Sequence, residues 1–149
     1  MSKPFKTTIS EGIAELVFDH PPVNAFDSKG WAAIAAEIAA LGENDDVNVI
    51  IIAAEGRGFC AGVDIKELAA DRNLIVAVNK GNYDTFKAVH LNPKPVIVAV
   101  HGFVLGGGIG ISGAAVQVPV EARAGGFTFS AVPTWLSRST SREGGFVTF

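Results

Sequence analysis

Cysteine is nearly absent: Cys60 stands alone among 149 residues, so no internal disulfide framework holds the chain together. Charge is sparse too, at 18% of residues with a formal net charge of -3. With no basic run, the electrostatic footprint that nucleic acid requires is missing. Long apolar runs are also lacking. The longest, residues 47–54 (interrupted by Asn48) and 96–100, fall far short of the ~20 residues that cross a bilayer. The Met1 end carries no apolar segment of the secretory kind, which predicts a cytoplasmic location. What the chain has instead is 48% hydrophobic residues, enough to build a core. The expected partner is a small molecule, with neither nucleic acid nor membrane involved.

Along the chain, residues 6–10 and 12–18 have β-rich, partly alternating patterns around Glu11-Gly12, which predicts a hairpin at a sheet edge. His20-Pro21-Pro22 breaks the pattern. Ser28 is a candidate cap for a helix whose apolar positions Trp31, Ile34, Ala35, Ile38 and Leu41 recur at helical spacing. Residues 47–54 are almost continuously β-branched or apolar, as in a parallel strand covered on both faces. A glycine-rich loop over 55–62 leads to a short helix over 64–70 and a longer one over about 74–91, which Pro93 and Pro95 end. A second buried strand, 96–100, runs into Gly106-Gly107-Gly108 and an apolar helix beginning near Ile109. This alternation predicts an α/β fold.

Residues 116–149 differ in texture. They contain no Lys, Asp or Ile and are rich in Gly, Ser, Thr and Arg. The chain thus divides into a core over 1–115 and an atypical segment over 116–149, in which 116–120 has the pattern of an edge strand limited by Pro119.

Two loops have the character of a site: Gly56 through Asp64 after one buried strand, and Gly106-Gly107-Gly108 after the next. Strand carboxyl ends are where open α/β folds bind ligands. Glycine lets the backbone approach a ligand or take positive φ, and a helix start leaves unpaired amides. Two such loops can aim two N–H donors at one oxygen. An isolated glycine cluster more often only makes tight turns and close packing.

The same segments carry a family resemblance. Gly58-Phe59-Cys60-Ala61-Gly62-Val63-Asp64-Ile65-Lys66-Glu67 resembles the signature of the crotonase (enoyl-CoA hydratase/isomerase) superfamily around its first oxyanion donor. Lys94 through Gly108 is similar to the second signature, and Pro22-Val23-Asn24-Ala25-Phe26 to the early loop, so the resemblance covers roughly residues 5–115. It implies a crotonase-type spiral of ββα units, incomplete at the C-terminal end. It implies an acyl-CoA thioester as substrate, held without a further cofactor or a metal between the backbone N–H groups of Val63 and Gly107. Phe59, Ala61, Val63, Asp64, Ile65, Gly106 and Gly107 would contact the CoA ester. Lyase chemistry in fatty-acid or lipid metabolism and a homotrimer or hexamer are further implications.

The departures matter as much. The family's hydratases use two glutamates; Gly110 stands at the position of one, and no Gly-x-Pro-Glu segment supplies the other over 116–149. Glycine at this position resembles hydrolases and ring-opening members of the superfamily. A non-catalytic CoA-ester binder is a further alternative, and the change of texture after Ala115 suggests a frameshifted or truncated product. Nucleotide sequencing that showed one continuous family-like frame would remove that last expectation.

Other candidates have bland readings. Asp64 suits a helix cap, His101 a turn facing solvent, and Cys60 a small packing residue. His20 and His90 lack partners at metal-like spacing. Gly108-Ile109-Gly110-Ile111-Ser112-Gly113 fits the dinucleotide pattern G-x-G-x-x-G, but residues 122–142 hold no acidic residue for a ribose. Glu37, Glu55, Glu67 and Asp71 remain unassigned as bases.

Overall fold

The structure, a computed structural model, describes residues 3–115. The 116–149 segment, its expected edge strand and the boundary before it lie outside the described residues.

β1 (Phe5–Ser10) and β2 (Ile13–Phe18) form the expected antiparallel hairpin, with Phe5 opposite Phe18 and Ser10 opposite Ile13. The turn places Glu11 and Gly12 at φ 51° and 80°, and paired positive φ values match the right-handed twist of the flanking strands. Strict alternation along β2 buries Ala14, Leu16 and Phe18 completely and turns Ile13 and Glu15 outward.

β4 (Val49–Ala54) and β6 (Val96–Val98) run parallel to β2, giving a sheet of order β1-β2-β4-β6 with β1 at one edge. The expectation of a strand over 47–54 covered on both faces is corrected: only Ile50 and Ile52 are fully buried, and their neighbours along the strand are partly exposed. Val47, although buried, belongs to the preceding turn, its N–H donating to Asn44 O at 3.1 Å.

α1 (Ser28–Gly42) and α3 (Ile75–His90) pack against each other. All five periodic positions of α1, Trp31, Ile34, Ala35, Ile38 and Leu41, are buried, as a helix with one apolar stripe requires. Its cap is Asp27, not Ser28. Asp27 has an extended backbone and its carboxylate accepts from Gly30 N at 2.6 Å. Ser28 is already helical, and it donates its N–H and Oγ–H to the Glu67 carboxylate, both at 2.8 Å.

A second, two-stranded sheet pairs β3 (Ala25–Phe26) with β5 (Gly62–Val63) in parallel, and a parallel bridge joins Cys60 to Val104. Each turn of the chain therefore places a strand in the main sheet, a short extended piece that pairs with that of the neighbouring turn, and then a helix. β2, β3 and α1 make the first turn. β4, β5, α2 (Ile65–Ala70) and α3 make the second, and β6, Val104 and α4 (Gly107–Ala114) the third. This is the α/β spiral of ββα units that the resemblance implied. Edge-to-face and tilted aromatic contacts fill its centre: Phe18–Phe26 at 5.0 Å, Phe18–Phe59 at 5.3 Å and Phe26–Trp31 at 5.5 Å.

Candidate active site

The two glycine loops follow β4 and β6, and backbone hydrogen bonds lace them together. Phe59 N donates to the His101 and Phe103 carbonyls, each at 3.0 Å, and Leu105 N to Cys60 O at 2.9 Å. Gly102, at φ 60°, lies so close to Arg57 O that no side chain fits there. His101 Nε2 stands 3.1 Å from Gly56 O, which ties its ring to the first loop.

Asn24 holds this arrangement from a third direction. It is 3% exposed and at φ 53°, a left-handed conformation that asparagine tolerates better than most residues. Its Nδ2 donates to Glu55 O at 2.9 Å and Gly58 O at 3.1 Å, while its Oδ1 accepts from His20 N at 2.8 Å. One buried amide side chain thus joins the early loop to the loop after β4.

Gly62 adopts φ 93°, and a Cβ placed on it would stand 3.1 Å from Gly107 N and 3.2 Å from Leu105 O. Only glycine lets the backbones meet so closely. On the far side of β5, Asp64 N donates to Phe26 O at 2.9 Å. Successive amides of an extended chain point to opposite edges, so the Val63 N–H faces away from β3. Gly107 is the first residue of α4; its N–H has no acceptor within the helix, and none outside it among the described residues. Gly106, the cap, provides no side-chain acceptor. The positive end of the α4 dipole adds to the field at this seam.

Gly107 is held from behind by α1 and α3. A Cβ on it would lie 2.5 Å from both Cη2 and Cζ2 of Trp31 and would collide with Asn82 Oδ1. Gly110, one turn further along α4, directs its missing side chain into the ring of Phe86, with 2.5 Å to Cε1 and 2.7 Å to Cε2.

The other expected contacts separate into two groups. Ala61, Val63, Asp64 and Gly106 lie at the seam with at least part of their surface accessible, and Ile65 is 77% exposed beside it. Phe59 departs from its expected place on the CoA path: it is fully buried against Phe18 and has no side-chain surface for a ligand. Asp64 caps α2, accepting from Lys66 N at 2.9 Å. Three of the four unassigned acidic candidates are engaged elsewhere: Glu67 with Ser28, Glu37 with Lys3 at 2.7 Å, and Asp71 as cap of the 3₁₀ turn Arg72–Leu74, while Glu55 is exposed just after β4. Among the described residues no group of three metal-ligating side chains occurs, and no helix is long and apolar enough to cross a membrane.

Cys60 is a packing residue. Burial pushes its thiol from 9.0 up to about 11, against the smaller opposing effect of the Gly62 N–H, which donates to Sγ at 3.3 Å. Above the unfolded value the unfolded chain loses this proton while the folded chain keeps it, so stability is full below about pH 9 and falls toward pH 11. The expected loss is about 2–3 kcal/mol. Urea midpoints at both pH values, compared with Cys60→Ala, measure it, and equal alkaline losses in the two proteins would refute it.

The sequence profile of the enoyl-CoA hydratase/isomerase family matches residues 16–123. The chain is 48% identical over 109 residues to "(7aS)-7a-methyl-1,5-dioxo-2,3,5,6,7,7a-hexahydro-1H-indene-carboxyl-CoA hydrolase" of Rhodococcus jostii, covering 72% of this chain and 42% of the relative. It is 33% identical over 104 residues to a probable enoyl-CoA hydratase of Bacillus subtilis, covering 68% of this chain and 40% of the relative. The crystal structure of an enoyl-CoA hydratase from Mycobacterium smegmatis superposes with a TM-score of 0.74 at 27% identity, over 80% of this chain and 48% of that one. The chain spans less than half the length of these relatives.

Proposed function

The chain belongs to the enoyl-CoA hydratase/isomerase family of the crotonase superfamily, and from that membership we propose that it processes an acyl-CoA thioester, with the Val63 and Gly107 amides as its oxyanion hole. The observation that carries this reading is the close approach of the two backbones, so tight that a Cβ on Gly62 would stand 3.1 Å from Gly107 N, which brings two amides without backbone acceptors to one seam. Donors fixed before reaction stabilise charge as it develops on the thioester oxygen, at little reorganisation cost.

The reaction we favour is hydrolytic. Addition of water across a double bond by paired carboxylates needs a side chain at position 110, where glycine faces the Phe86 ring. The relatives named as CoA hydrolases are 46–48% identical, against 31–33% for those named as probable hydratases. For a cyclic β-keto thioester the balance is simple. Water adds to the ring ketone, the bond between that carbon and the thioester α-carbon breaks, and its electron pair becomes a thioester enolate held by the two amides. Protonation of the α-carbon and loss of the second water proton leave a carboxylate on an intact thioester.

Incubation with 2-oxocyclohexanecarboxyl-CoA, followed by mass spectrometry and thiol titration, tests the proposal. The expected product has gained one water and released no free CoA. Hydration of crotonyl-CoA in the same assay would overturn the hydrolytic reading, and calorimetry showing that neither thioester binds would overturn the acyl-CoA reading itself.

A further inference from the structure

We propose that Phe86, seated end-on at Gly110 one helical turn from the Gly107 amide, is the residue that selects a cyclic apolar acyl group. This rests on the acyl-CoA reading above and assigns to one side chain the preference for a cyclic acyl group that the reading favours.

The geometry comes from three elements. α4 carries Gly107 and Gly110 at i, i+3 spacing, so the two positions lie on one face about 5–6 Å apart. α3 presents Phe86 to that face, its ring tip occupying the space that any side chain at position 110 would take. α1 supplies Trp31, whose ring meets Phe86 edge-on at 6.4 Å and 79° while its far edge backs Gly107. Phe86 and Gly110 are both only partly buried among the described residues.

A carbonyl oxygen on the Gly107 amide brings the α-carbon and its substituents within a few ångströms of that ring. The wall they meet is apolar and aromatic. Where Gly110 faces it, this wall is the Phe86 ring, which offers neither a proton acceptor nor a donor, and the polar end of Asn82 lies one turn away behind Gly107. A saturated ring presents more contact area to such a wall than a short linear chain, with less conformational freedom lost on binding. Residues 110 and 86 act as a pair: glycine at 110 admits the ring of Phe86, and the ring shapes the pocket.

The experiment compares dissociation constants for 2-oxocyclohexanecarboxyl-CoA and acetoacetyl-CoA, both β-keto thioesters, by calorimetry. Phe86→Ala is expected to weaken the cyclic ester by about tenfold and the linear one by no more than about twofold, the scale at which truncation of a packed aromatic affects binding. Gly110→Ala, which displaces the ring without removing it, is expected to give the same loss of preference. Phe86→Leu, which keeps most of the volume, guards against a folding defect and is expected to fall between. Equal weakening of both esters in all three variants, or none in any, overturns the inference while leaving the acyl-CoA reading in place. Failure of the unsubstituted chain to bind either ester overturns that reading, and this inference with it.

Discussion

Val63→Pro is expected, on the reaction proposed above, to lower turnover of a cyclic β-keto thioester by about 10²–10³-fold, the effect of removing one oxyanion donor. Proline deletes the N–H without breaking the neighbouring ladder bond to β3, which runs from Asp64 N to Phe26 O, while the Val63 N–H points to the other edge. Binding of the thioester should change less than its turnover, because the donor matters most once charge has moved onto the oxygen. Far-UV circular dichroism and the melting temperature are the controls for folding. A variant that folds and turns over at the original rate would mean that the reacting oxygen lies elsewhere.

The second large effect is structural. Trp31→Ala is expected to cost about 3–5 kcal/mol, the usual range for emptying a buried large aromatic site. Trp31 is fully buried, meets Phe26 edge-on, and backs both Gly107 and Gly81. Its carbonyl accepts the Thr85 hydroxyl at 3.2 Å, a second link between α1 and α3. The indole N–H, by contrast, has no partner among the described residues, and an unpaired buried donor costs about 1–3 kcal/mol. Trp31→Phe should therefore lose much less than Trp31→Ala, since it gives up ring volume but also removes that donor. Urea unfolding followed by circular dichroism measures both. A loss below about 1 kcal/mol for the alanine variant would show that the core closes over the gap, and that α4 does not depend on this ring.

Much of the scaffold was legible residue by residue. The stripe Trp31, Ile34, Ala35, Ile38 and Leu41 specified both α1 and its buried face, because a helix brings residues three and four apart onto one side. The β-branched runs marked β4 and β6, and Glu11-Gly12 marked the hairpin turn. The errors were local. Asp27 and Ser28 are both good caps, and the helix begins after Asp27 because Glu67, distant in sequence, takes the Ser28 N–H and hydroxyl. Strands of two residues, such as β3 and β5, are too short for any periodicity to reveal.

The site divides in the same way. Its glycine loops stood out because positive φ and close approach demand glycine, and their resemblance to family signatures suggested what they hold. The role of Asn24 had no such signal. Its side chain completes hydrogen bonds to Glu55 and Gly58, which only the folded chain brings near. Phe59, in the middle of a signature, turned out to be core because Phe18 comes to meet it. The sequence by itself determined the elements and the places where backbone must bend or approach closely, since propensity and periodicity act over a few residues. Only the tertiary structure decided that the Gly62 backbone comes too close to Gly107 for a side chain and that Phe86 fills the space at Gly110. Those contacts join separate turns of the spiral, and packing of the common core sets their distances.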